Sequence, residues 1–303
     1  MSARPMNPAT PQPSEPWSRF VAWAAVIGST VPGIIWQESG HQLGLWFTAA
    51  ESVLILFAAA AAIWVRLSRG VVRFLIAIAI LNFSWRYISP TLAALPAVRA
   101  LTDHISWGAR LFLNRTFTLS GVVLVSLTLI GSGITRRDLF LCKGNPAAPA
   151  QPIPFLGLRK PVPWSWLGPA FIVVFAGVLA PYLYLTVHPN FRVSERIIRT
   201  FPWSLAVAAL NAASEEFQFR SVLLAHLRGV FRPAENILLT AVFFGLGHYY
   251  GQPSGPLGML MAGSAGWIWA RSMIDTRGGV WAFLIHMTQD IVIFSFLAVG
   301  AGM

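Results

Sequence analysis

An all-α fold, a polytopic transmembrane helix bundle, is predicted by three observations. Apolar residues fill 55% of the 303 positions, charged residues only 11%, and mean hydropathy is +0.62. That is more apolar surface than one soluble core can hide, so lipid must cover the remainder. Several apolar runs also reach or approach the roughly 20 residues that cross a hydrocarbon core of about 30 Å. The expected number of spans is about eight to nine.

A polar, Pro-rich tail, 1–19, precedes the first run, 20–36. That run contains Pro32 and shows no small-residue cleavage pattern, so an uncleaved span with a cytoplasmic tail is expected. Runs at 43–65, 71–85 and 117–131 complete an N-terminal transmembrane region, 20–135, and the stretch 86–115 between the last two reads as a loop holding Arg86, Arg99, Arg110 and Arg115. A basic, Pro-rich linker follows at 136–165. The remaining runs, 166–187, 202–224, 237–250, 256–273 and 279–299, form a second transmembrane region, 166–303. Trp17, Trp36, Trp64, Trp85, Trp164, Trp166 and Trp203 fall near run ends, where indole rings anchor at the headgroups.

The net charge of +11 does not point to nucleic acid, because the arginines are scattered singly and in pairs between apolar runs. With the N-terminus cytoplasmic, Lys and Arg accumulate in cytoplasmic segments, as the positive-inside rule requires. The expected setting is the plasma membrane of a GC-rich bacterium, since Lys143 and Lys160 are the only lysines among 22 Lys and Arg. Cys142, the single cysteine, excludes an internal disulfide and a cysteine-based metal site. No internal repeat is present.

Ionisable residues inside membrane spans cost about 2.5–3.5 kcal/mol each at mid-bilayer and normally carry a role. Here they concentrate in the last third of the chain. In Asn211-Ala-Ala-Ser-Glu-Glu-Phe-Gln-Phe-Arg220, Glu216 and Arg220 stand four apart on one helical face and can pair as a structural ion pair. Glu215, rotated by about 100°, lacks that partner and suits a general base acting on water. His248 ends the next run, and His286 and Asp290 lie four apart on the last. At about 1.5 Å per residue, Glu215 and His286 both fall about 10 Å, and His248 about 17 Å, from the inner side of the membrane. Three helices thus bring polar groups to similar depth, which points to one site. Gly245 and Gly247 would let neighbouring helices approach closely.

In these residues the chain resembles the CAAX-protease and bacteriocin-processing (CPBP) family, which includes the Abi-type proteins. The motifs stand as Glu215-Glu216-x-x-x-Arg220, Phe244-x-x-x-His248 and His286-x-x-x-Asp290, in the family's order. The resemblance implies an all-helical intramembrane endopeptidase acting on a membrane-associated protein or peptide. It assigns Glu215 and His248 to the attacking water, and His286 and Asp290 to the oxyanion. Phe244 is a packing position of the middle motif. Prenyl-protein enzymes of the family typically carry Asn at the last position, and an ionised Asp290 cannot donate. It is expected instead to accept from His286 and orient that ring. No cofactor is expected; the alternative is a divalent metal, zinc, held by Glu215, His248 and His286 with one position open.

Rival readings leave residues unexplained. A serine protease built on Gly263-Ser264-Ala265-Gly266 gives no role to Glu215, Glu216 or Arg220, and small residues in membrane helices usually mark close packing. An intramembrane aspartyl protease lacks its motifs. A proton-coupled transporter would use buried Glu, His and Asp but should show internal symmetry. A non-catalytic Abi-type immunity or interaction protein would not need intact motifs. Glu51, inside the second run, is expected to pair with an Arg or to line a substrate groove. His226 is read as a helix-end residue, and His41, His104 and His188 as loop residues.

Overall fold

The computed structural model describes residues 16–187 and 194–300. Most of the polar tail, with Arg4, and the loop residue His188 lie outside the described residues. The first expected span is two helices, α1 (Pro16–Gly28) and α2 (Val31–Glu38). The chain breaks at Ser29 and Thr30, and Pro32 enters the first turn of α2, where a missing N–H costs nothing. α3 (Leu45–Trp64) is followed by α4 (Arg69–Phe83), which Ser68 caps by accepting the Val71 N–H at 3.3 Å. α4 continues through a π-helical turn, Ser84–Ile88, into α5 (Ser89–Ala93). After α6 (Pro96–Thr102) come α7 (Trp107–Thr116) and α8 (Leu119–Ser126).

In the C-terminal region, α9 (Trp164–Val187) precedes α10 (Ser194–Glu216), whose last turn opens into a π-helical segment, Phe217–Val222, and closes again as α11 (Leu223–Leu227). α12 (Pro233–Gly247), α13 (Gly255–Thr276) and α14 (Val280–Gly300) complete the bundle. Every expected apolar run coincides with a helical stretch. Among the described residues, 6 stretches are long and apolar enough to cross a membrane: Pro16–Glu38, Leu45–Trp64, Arg69–Ala93, Trp107–Leu129, Trp164–Thr186 and Val280–Gly300. α10, α12 and α13 fall short of that standard because α12 has only 15 residues and the other two carry polar side chains.

The stretch 86–115 is not the loop that the sequence led us to expect. It is largely helical, and Arg86 and Arg115 sit in extensions of the flanking spans. Their charges end the apolar runs in the sequence, although in the fold both side chains line a cavity. The segment 136–165 contains one two-stranded antiparallel pairing, Pro149–Ala150 with Val162–Pro163. It is docked on the turn between α13 and α14: Asn145 N–H donates to Thr276 O at 2.8 Å, and Trp281 Nε1 donates to Pro146 O at 2.8 Å. Cys142 belongs to this docking, with Sγ 3.2 Å from Arg277 O.

α10 packs along α14, α12 along α13, α3 along α4 and α9 along α14. One apolar core joins α1, α3 and α4 to Val222, Leu223, Leu227, Leu239 and Phe243. A second surrounds Trp164, Phe244, Ile268, Trp269 and Ile285. Between them run the polar residues of α10, α12 and α14. The α12–α13 crossing is close because Gly245 faces the backbone of α13: a Cβ there would stand 2.7 Å from Met259 O and 3.0 Å from Gly263 Cα. Gly247 has open space around it and makes no such approach. Gly245→Ala is therefore expected to force α12 off α13 and to cost about 1–3 kcal/mol, read as a lower Tm in detergent. The equivalent Gly247→Ala change should leave stability within about 0.5 kcal/mol of the wild type, with Tm nearly unchanged.

Candidate active site

Glu215, His248, His286 and Asp290, from α10, the end of α12 and α14, all line one cavity of about 440 Å³. A volume in the range of about 300–1,000 Å³ is typical of a ligand site. α10 supplies Asn211 and Glu215, which are four apart on one face and both line the cavity. Glu216 points away from it, into the packing between helices. There it meets Arg220, with NH1 3.3 Å from Oε1. The expected ion pair is therefore present.

Arg220 is completely buried. Its guanidinium lies 3.6 Å from the Phe244 ring centroid and 4.6 Å from that of Trp269, so two aromatic faces supplement a single acidic neighbour. Phe244 thereby takes the packing role expected of it. Gly266 makes room for the group, since a Cβ there would come within 2.8 Å of Arg220 NH2. The Gly263–Gly266 stretch is thus a packing surface, and Ser264 is exposed.

Glu216 also does something the sequence did not indicate. Its Oε1 accepts a hydrogen bond from His286 Nδ1 at 2.7 Å. The imidazole is fixed further by stacking on Trp269, with centroids 4.0 Å apart and planes within 9°. Its other nitrogen, Nε2, stands 3.6 Å from both Glu215 Oε2 and Asp290 Oδ2. Asp290 is thus too far to accept from His286, and Glu216 holds the ring instead. The hydrogen bond to Asp290 comes from Asn211 Nδ2, at 2.9 Å. A contact between residues on different helices leaves no periodic trace, so Asn211 and Trp269 were not legible in the sequence.

His248 caps the C-terminal end of α12. Its Nδ1 lies 2.9 Å from Phe244 O, and because a carbonyl only accepts, Nδ1 carries a proton. In the neutral ring, Nε2 is then the basic atom. Among the described residues, no group of three or more His, Cys, Asp and Glu side chains is arranged to hold a metal ion. His286 is held at Nδ1 by Glu216, which leaves its Nε2 facing Glu215 and Asp290.

The N-terminal region reaches the same cavity. Glu51 pairs with Arg86, whose NH1 is 2.6 Å from Oε2, while Asn82 Nδ2 is 3.4 Å from that oxygen. Arg86 and Asn82 line the cavity, as does Arg115. The two π-helical segments are joined by Trp85 Nε1, which donates to Gln218 Oε1 at 2.9 Å. Such widened turns recur at functional sites. The other histidines stay outside: His226 is buried against Thr128 with its Nε2 at 2.8 Å, and His41 and His104 are exposed between helices.

Residues 197–292 match the family model described as type II CAAX prenyl endopeptidase Rce1-like. No curated protein and no solved structure matches the chain at comparable significance. The matched residues run from α10 into α14 and include every motif residue that meets at the cavity, together with the buried pair behind it. Residues 197–292 are thus a CPBP-family segment, that family being one of intramembrane proteases, set in a multi-pass helical membrane protein.

Proposed function

We propose that the protein hydrolyses a peptide bond of a membrane-associated protein or peptide, using water activated by Glu215 and His248. The observation that carries this reading is the shared cavity, in which the Glu215 carboxylate, the His248 imidazole and the His286 Nε2 edge face one space. A water held between Glu215 and His248 Nε2 gives its proton to the carboxylate as its oxygen adds to the scissile carbonyl carbon. The resulting oxyanion is stabilised by donors already in place. Doubly protonated His286 donates Nδ1–H to Glu216 and Nε2–H to the oxyanion. Asn211 gives one amide hydrogen to Asp290 and has a second for the same oxygen. Asp290 then acts by orienting Asn211, so that an amide donor is present although the motif ends in Asp. Collapse of the tetrahedral species breaks the C–N bond, and Glu215 returns its proton to the departing amine.

The reaction takes place in the plasma membrane of a bacterial cell, with the N-terminus in the cytoplasm. Two lines support this: the scatter of Lys and Arg between spans, and the composition rich in Arg. In membranes from cells carrying His248→Gln, a precursor protein or peptide should accumulate that is shortened in wild-type membranes, detected by mass spectrometry of membrane fractions. Adding a chelator to wild-type membranes is expected to leave processing intact. If no precursor distinguishes the two strains, the protease reading fails. Processing that stops on chelation would reassign Glu215, His248 and His286 to zinc.

A further inference from the structure

The basic, Pro-rich segment between α8 and α9 carries a hairpin, 148–164, whose root and tip lie at different depths. The root is fixed where two spans begin. Trp164 opens α9, and its N–H donates to Ala148 O at 3.0 Å while its Nε1 donates to Asp275 Oδ2 at 3.1 Å, close to the start of α14 at Val280. The tip lies against α13, where Phe155 meets the Trp267 ring with centroids 5.4 Å apart. At about 1.5 Å per residue, the stretch of α13 from Trp267 to its end at Thr276 is about 14 Å long. Asp275 and Arg277, both charged, keep the root among the headgroups. A headgroup layer is about 5–7 Å deep, which leaves the tip in the upper hydrocarbon. Interfacial elements rest at a similar depth, about 5–10 Å.

The chemistry of the tip suits that position. Phe155 touches Trp267 yet is 74% exposed, and Leu156 beside it is 45% exposed. Backbone that enters lipid has to pair its donors internally. Pro152, Pro154, Pro161 and Pro163 carry no N–H, and the N–H groups of Ile153, Leu156, Gly157 and Leu158 are bonded inside the hairpin at 2.8–3.2 Å. Gly157, at φ 77°, supplies the left-handed residue that closes the tip. The prolines that mark a linker in the sequence therefore rid this hairpin of donors that lipid would leave unpaired.

Next to the tip, Arg159 and Lys160 are exposed, and among the described residues neither side chain has an ion pair or a hydrogen bond. No Asp or Glu occurs from 139 to 187. Asp275, at the root, is engaged by Arg271 Nε at 2.9 Å as well as by Trp164. We propose that this hairpin is a lipid-binding finger set in the leaflet where α9 and α14 begin: Phe155 and Leu156 lie among the acyl chains, and Arg159 and Lys160 bind the phosphates of anionic phospholipid. Long basic side chains reach from an apolar surface up to the headgroups. An exposed apolar tip flanked by unpaired cations complements an anionic leaflet on both counts. The site lies outside the matched segment 197–292 and does not depend on the protease reading.

The test uses full-length protein in vesicles of phosphatidylcholine, with and without phosphatidylglycerol. In protein carrying Cys142→Ser and Leu156→Cys, a nitroxide attached at 156 is expected to be relaxed more by oxygen, which concentrates in hydrocarbon, than by a water-soluble nickel chelate. The reverse order puts the tip in water and overturns the proposal. In neutral detergent, native mass spectrometry should show wild type binding phosphatidylglycerol in preference to phosphatidylcholine. Arg159→Gln with Lys160→Gln should weaken that binding about 10- to 30-fold, with Tm in lipid-free detergent unchanged. Equal binding by the two proteins overturns the phosphate site. Because the Gln changes alter only exposed side chains, this arm decides the matter even where the labelled protein fails to fold. A nitroxide shielded from both probes, in a protein that sediments as a dimer, would assign the tip to a second copy of the chain and would also overturn the proposal.

Discussion

Glu215→Gln is expected to lower kcat for peptide-bond hydrolysis by about 100- to 10,000-fold, the range that a positioned general base contributes. The amide keeps the size and shape of the carboxylate but cannot take a proton from water. Packing should survive the change, because Glu215 makes no ion pair as short as those of Glu216 or Glu51; its nearest charged neighbour is His286 Nε2 at 3.6 Å. Tm in detergent should therefore be unchanged or higher, and substrate binding should persist. This combination is what separates a chemical role from a structural one. Activity within about tenfold of wild type would remove Glu215 from the water-activating role.

The largest effect on stability is expected at Arg220. Arg220→Met keeps the long apolar stem between Phe244 and Trp269 but removes the charge facing Glu216. Breaking a buried pair by removing one partner costs about 3–5 kcal/mol, because the remaining charge stays in a low-dielectric setting. Here Glu216 retains His286, with a hydrogen bond of 2.7 Å, so the lower end of that range is expected. Adding Glu216→Gln to Arg220→Met should restore part of the loss, and the double-mutant cycle over the two sites measures the coupling. If Arg220→Met unfolds at the wild-type temperature, the pair is not what holds α10 to its neighbours.

The sequence made the apolar cores of the spans and the placement of the motif groups legible, for different reasons. Apolar runs show spans directly, and the four-residue spacing of Glu216 and Arg220 suggests the pairing that the fold shows at 3.3 Å, even though Arg220 lies in the widened turn. The meeting of Glu215, His248 and His286 was readable only through the cost of burying ionisable groups, which makes coincident depth informative. Contacts between helices far apart in sequence carry no such signal. Glu216 to His286, Asn211 to Asp290 and the Trp269 stack depend on how α10, α13 and α14 rotate against one another. Arg86 and Arg115 were misplaced by their charge. A charge ends an apolar run, and only the fold shows that the helix continues through it along a cavity.

The π-helical segment Phe217–Val222 sets the angular phase of α11 relative to α10. Each i→i+5 turn holds one residue more than an α-turn, and one residue corresponds to about 100° of rotation. Deleting Ser221 would let the backbone close into an unbroken α-helix and would swing Leu223–Leu227 around by that angle. His226 would then turn away from Thr128, and Leu223 and Leu227 would leave the seam they share with α4. The extra residue works like an offset tooth in a gear train: it lets one continuous rod present its acidic turn to the cavity and its next turn to a partner on a different bearing.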